Sequence, residues 1–186
     1  GIKEAGSGLF VDLFVNTYGV TQGLNQAHEP SMALVNHDFY KSKGFILSPH
    51  INSPKMVRAF ELGPKGAALS VNRLVGIMTK ITDEAVGHVH ANGAISKPVT
   101  PKDRSRLQEG SAIAQETLIK AGADRHSIAI SKPQGAHPGG TAAIGKVVDN
   151  DLQTKIDGLF VCDASVLPIS PGLPPILTII ALAKRL

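Results

Sequence analysis

An α+β fold with an antiparallel sheet is expected from this chain, on three observations. Short runs rich in β-branched and aromatic residues fill the first hundred positions. An Asn-Gly pair, Asn92-Gly93, sits between two of them. A single long capped helical pattern then follows at 101–121.

Taken in order, residues 9–18, "LFVDLFVNTY", read as an early strand or an extended ligand-facing segment, with Asp12 and Asn16 breaking the run. Residues 31–36 and 44–50 are short strand candidates, and 71–91 hold a longer extended stretch. Asn92-Gly93 predicts a two-residue hairpin with a type I′ turn, which needs positive φ at both positions. Thr100 can cap the helix that follows, Pro101 fits its first position, and Asp103 suits its positive end. Leu107, Ala114, Leu118 and Ala121 share one face of it, and Gly122 ends it. Residues 127–131 predict one more strand. Beyond 132 glycine and proline concentrate around "GAHPGGTAAIG". Then come "GLFVCDASVLP", which reads as a buried strand, a Pro/Gly loop, and an apolar helix beginning near Pro175.

Bulk properties narrow the function. The 186 residues suffice for one sizeable domain or two small ones. With 42% hydrophobic and 18% charged residues the composition is globular. The net charge is +4, but the 19 Lys and Arg are spread along the chain. No basic run interleaved with aromatics points to nucleic acid. Cys162 is the lone cysteine, so an intrachain disulfide is excluded and a reducing, cytoplasmic setting is the expectation. "ILTIIALA" is too short to span a bilayer. Both ends read as cut, at Gly1-Ile2-Lys3 and "ALAKRL", so a fragment of a longer protein is expected.

Several residues could carry chemistry. His137 reads either as a general base, since imidazole titrates near neutral pH, or as a turn histidine bonded to backbone. His88 and His90, two apart on a strand, share a face and could hold a metal; a solvated strand face is the plainer reading. Glu29 is a second acid or base, or a surface residue before a proline. Asp163 ends the expected buried strand, where α/β sheets bind ligands, or else caps a turn. "GSG" at 6–8 lacks the strand and spacing of a dinucleotide fingerprint.

From His137 to the C-terminus the order of motifs resembles the glucose–methanol–choline (GMC) family of flavin oxidoreductases. The resemblance rests on "HPGGTAAIG", "VVD", "GLFVCDAS", the Pro/Gly loop and "LTIIALAKRL". It implies that residues 1–131 are a substrate-binding domain, an antiparallel sheet with the 101–121 helix. It also implies that 132–186 are a strand–loop–helix segment completing a Rossmann-like FAD-binding domain. The implied reaction is oxidation of a small-molecule alcohol at its CH–OH group by hydride transfer to FAD, with His137 as acid–base residue. Asp163 and Ala164 match the segment near the flavin ribityl and pyrophosphate. Pro174, Pro175 and Ile176 match the start of the helix against the flavin pyrimidine. The glycines around His137 are then expected to let the chain pass close to a planar cofactor.

Two departures stand out. The family usually carries His or Asn where this chain has Pro174. Glu29, in its spacing to Met32, resembles the acidic residue of cholesterol oxidases and is the candidate stand-in. The family's N-terminal Gly-rich FAD-binding unit is absent from this chain, so this chain alone is not expected to hold the cofactor. That missing domain is its expected partner, with association into a homo-oligomer a consequence of apolar surface at 159–183. A binding module that keeps the fold without turnover is the alternative function.

Overall fold

The computed structural model describes every residue except 1, 25, 27, 28, 54, 55, 64, 65, 67, 68, 71 and 72, and describes residues 58 and 59 without their side chains. The main elements are β1 (Ser7–Leu9), β2 (Leu13–Val20), α1 (Tyr40–Lys43), β3 (Phe45–Pro49), β4 (Leu74–Ile81), β5 (Gly87–Val89), β6 (Ile95–Ser96), α2 (Pro101–Lys120), β7 (Ala129–Ile130) and α3 (Ile176–Arg185). The fold is α+β, as the sequence predicts. The chain groups into two compact units, and each draws on separate stretches of sequence. Compactness therefore interleaves the chain, while the division expected at 1–131 and 132–186 is one by role.

The first unit comprises Gly1–Leu13, Thr82–Asp103 and Gly135–Leu186. It holds an antiparallel sheet in the order β1-β5-β6. Its core gathers Val147, Val148, Leu152 and Val166, with Cys162 and Leu182 packed against them. The β5–β6 turn differs from the expected type I′. His90 donates its N–H to Ala94 O across a three-residue loop, and only Gly93 of the Asn-Gly pair has positive φ, 84°. A longer loop takes one left-handed residue, so Asn92 is spared the strained conformation.

The second unit, Phe14–Ile81 and Arg104–Gln134, is built on an antiparallel sheet containing β3-β4-β2-β7 in that order. Strand alternation separates its faces. Val75 and Ile77 face Leu118, on α2, and Ala123. Tyr18 and Leu74 face Ile51, Val57 and Leu62. On that second face lies a buried polar centre. Glu61 ends a π-helical turn, Val57–Glu61, and is 4% exposed. Its carboxylate accepts hydrogen bonds from Asn16 Nδ2 (3.1 Å), the Tyr18 hydroxyl (2.6 Å) and Asn52 Nδ2. Burial first, then the bond to Glu61, pushes the Tyr18 hydroxyl above the ordinary phenol range, so it stays a donor. Burial likewise lowers His50, which favours its neutral ring.

The expected start of α2 is present. Thr100 Oγ1 accepts the Asp103 N–H (3.1 Å), and Asp103 Oδ2 accepts the Thr100 N–H (3.1 Å). This reciprocal pair is a capping box with Asp in the acidic position. Thr100→Ala is expected to cost about 1 kcal/mol, read as a lowered urea midpoint. Ala121 is exposed, and Ala123, past the helix, takes its place in the core.

Of the strands expected before residue 132, one fails and two others are met by shorter strands. Residues 31–36 form turns with a single bridge, Asn36 to Leu47, because Met32 takes φ 60° and breaks the extended run. The extended stretch expected at 71–91 divides into β4 and β5, and 71 and 72 lie outside the described residues. The expected strand at 127–131 is shortened to β7 by a 3₁₀ turn, Arg125–Ser127.

Candidate active site

His137 sits on a segment stitched to two others. On one side Ala136 and His137 donate their N–H groups to Val11 O, and Gly139 and Phe10 exchange backbone bonds. On the other side Gly140, Ala142 and Ile144 donate to the carbonyls of Ala164, Ser165 and Val166. The glycines serve this double stitching. A Cβ on Gly139 would lie 2.5 Å from both Ala164 O and the Phe10 ring, so the close approach they allow is to the protein's own chain. The expectation that they make room for a planar cofactor is corrected to that extent.

The stitching brings His137 to Asp12. The imidazole Nδ1 lies 3.0 Å from Asp12 Oδ2, and the two residues are 125 positions apart. The Asp12 side chain is fully buried and that of His137 is 30% exposed. The other carboxylate oxygen, Oδ1, accepts the Ser170 hydroxyl (2.7 Å) and the Gly172 N–H (3.2 Å). Asp12 takes φ 49°, a left-handed conformation that Asp tolerates better than most residues. It is the kink between β1 and β2, which is why its side chain leaves the strand pattern.

A buried ionic group supports this arrangement. Asp83 N–H donates to Ser170 Oγ (3.3 Å), and Asp83 Oδ2 accepts the Val11 N–H (3.1 Å). Lys97 Nζ lies 2.9 Å from Asp83 Oδ2 and 3.8 Å from Asp103 Oδ2, with both aspartate side chains fully buried. Asp83 Oδ1 is buried with no hydrogen-bond partner.

The remaining sequence candidates fall elsewhere. Asp163 is exposed and accepts the Ser165 N–H (2.7 Å), capping the 3₁₀ turn Ala164–Val166. Ala164 contributes its carbonyl to Gly140 and Leu167. The expected buried strand at 158–168 is not one. Leu159 and Phe160 are 45% and 44% exposed, and among the described residues only a bridge from Gln153 to Phe160 pairs them. A buried strand needs neighbours on both edges, and the described residues supply none there. Cys162, expected to be buried, is of intermediate exposure. Glu29 belongs to the second unit, exposed beside Leu24, Gln26 and Val75. His88 and His90 do share a face, with ring centroids 4.5 Å apart. They line an open cavity of about 660 Å³ with Lys3 and Thr141. No cluster of three His, Cys, Asp or Glu able to hold a metal occurs among the described residues.

The helix α3 begins at Ile176 with Pro175 as its uncapped N-cap. Its first-turn N–H groups have no partner within the helix, and its dipole favours negative charge there. Pro175 is buried and Pro174 exposed. Ile169, Ile176, Leu177 and Ile180 are 72%, 63%, 79% and 47% exposed, an apolar surface on one unit. An uncapped helix start beside apolar side chains fits a planar ring that takes on negative charge, as a flavin does on reduction. No helix among the described residues is long and apolar enough to cross a membrane.

The residue that sequence reasoning missed is Asp12. Its signal was present: a carboxylate breaking an otherwise apolar run at 9–15.

Comparison with known proteins bears on the family and the fold. An uncharacterised protein of Methanocaldococcus jannaschii is 35% identical over 183 residues, which is 98% of this chain and 46% of that protein. Two structures of Aspergillus oryzae formate oxidase variants, studied for their FAD modification, superpose with a TM-score of 0.71 at 17% identity. A further formate oxidase structure gives 0.68 at 14%. Each covers 99% of this chain, which spans 46% of theirs. The chain thus spans less than half the length of these relatives. Residues 83–183, which include His137, Ser170 and the start of α3, match the family model described as GMC oxidoreductase. The chain belongs to the GMC oxidoreductase family.

Proposed function

We propose that the full-length protein is an FAD-dependent oxidoreductase acting on CH–OH donors, with His137 as its acid–base residue. One observation carries this reading: a partly exposed imidazole held at Nδ1 by a fully buried carboxylate. A histidine that served only its own turn would bond nearby backbone. Here the ring is oriented by a side chain from a distant segment, as a group that must meet a substrate in one pose is oriented.

Bound FAD would supply the hydride acceptor for the carbinol carbon. Asp163, Ala164, Pro175, Ile176 and the first-turn amides of α3 are the groups of this chain that would hold it. His137 takes the hydroxyl proton at Nε2, since Nδ1 faces Asp12. The apolar side chains at 159–180 support a partner surface, and the FAD-binding half that this chain lacks is the partner we assign to it.

Pro174 favours a second reading, a module that retains the fold without turnover, because it has neither donor nor proton acceptor. One assay separates the two. The full-length protein is mixed anaerobically with primary alcohols, secondary alcohols and formate, and its flavin absorbance is followed. Bleaching by an alcohol, with the matching carbonyl product, is expected. A full-length protein that binds no flavin, or whose flavin no donor bleaches, overturns the enzymatic reading.

A further inference from the structure

We infer that Asp12 is a positioning residue that selects the His137 tautomer, placing the proton on Nδ1 and the basic lone pair on Nε2. This rests on the proposed acid–base role of His137, and it deepens that role by naming what makes the ring competent.

An ionised carboxylate only accepts, so the group it meets must donate. Asp12 Oδ1 already receives two donors, the Ser170 hydroxyl at 2.7 Å and the Gly172 N–H at 3.2 Å. Oδ2 faces His137 Nδ1 at 3.0 Å. In the neutral imidazole one nitrogen carries the proton and the other the lone pair. Bonding Nδ1–H to Oδ2 therefore leaves the lone pair on Nε2. Because Asp12 is fully buried and held at φ 49°, its carboxylate has little freedom to offer a different geometry. Ser170 and Gly172 give that carboxylate its orientation, and Ser170 is itself oriented by the Asp83 N–H.

The same geometry makes one substitution diagnostic. Asp12→Asn is nearly isosteric, but its side chain has one oxygen and one NH₂. The oxygen must take the Oδ1 position, where Ser170 and Gly172 donate. The NH₂ then points at His137 Nδ1, and a donor there requires Nδ1 to accept. The ring is driven to the Nε2–H tautomer, in which the nitrogen meant to take the substrate proton already carries one.

The test uses the full-length protein labelled with ¹⁵N-histidine, with the His137 signals assigned by their loss in His137→Gln. At a pH where the ring is neutral, wild type is expected to show Nδ1 as the protonated, pyrrole-type nitrogen and Nε2 as the pyridine-type one. Asp12→Asn is expected to exchange the two, and to slow flavin reduction by about 10²-fold or more. Ser170→Ala, which keeps the Asp12 carboxylate as an acceptor and its Gly172 donor, is expected to keep the wild-type tautomer. A wild-type ring protonated at Nε2 overturns the inference, and this measurement needs no variant to fold. So does an Asp12→Asn spectrum with the wild-type pattern. If the tautomer exchanges but flavin reduction keeps its wild-type rate, the inference stands and the acid–base reading of His137 is what fails.

Discussion

His137→Ala in the full-length protein is expected to lower the rate of flavin reduction by an alcohol about 10²–10⁴-fold, the usual worth of a positioned acid–base group. KM should change far less, because proton transfer develops mainly in the transition state. Pro174→Ala is the control. Its side chain is exposed and has no proton to exchange, so a near wild-type rate is expected. Stopped-flow reduction of both variants across pH 6–9 decides the matter. A wild-type rate for His137→Ala would show that the ring only shapes its turn; in that case stability, rather than rate, should suffer.

The second large effect lies in the other unit. Glu61→Ala removes the common acceptor of Asn16, Tyr18 and Asn52, and the first two are fully buried. Each buried donor left without a partner costs about 1–3 kcal/mol, so a loss on the order of 3 kcal/mol remains after partial relaxation. Tyr18 cannot escape by ionising, since burial already holds its hydroxyl above the ordinary range. Glu61→Gln should lose less, because the amide keeps one acceptor oxygen. Amide exchange on β2 and β4 reports this unit without assuming that the whole protein unfolds in one step. A change below about 1 kcal/mol would mean that water takes over the carboxylate's bonds.

The pattern of success along the chain follows the range of the forces involved. Thr100, Pro101 and Asp103 announced α2 because a cap acts within three residues of itself. β3 and β4 were legible because alternating or continuous apolar runs report the faces that they bury. The stretch "GLFVCDASVLP" has the composition of a buried strand, yet pairing is a property of neighbours, and no strand among the described residues pairs along it. Leu159 and Phe160 stay exposed for the same reason, while Val166 is buried through a 3₁₀ turn. At Asn92-Gly93 the dipeptide marked the hairpin correctly, while the loop length was decided by the register His88 to Ser96 and Val89 to Ile95.

By itself, the sequence determined that the chain is α+β, where its long helix starts and stops, and that His137 lies in a family motif. Each of these depends on residues close together or on a motif in fixed order. Only the tertiary structure decided what His137 is bonded to. Asp12 looked like a break in an apolar run, and nothing local to it says that a histidine 125 positions away will meet one carboxylate oxygen while Ser170 and Gly172 meet the other. That meeting depends on three loops closing together through the backbone bonds of Phe10, Val11, Gly139 and Gly140. A hydrogen bond acts over about 3 Å, so its partner is known only once the chain has been brought back on itself.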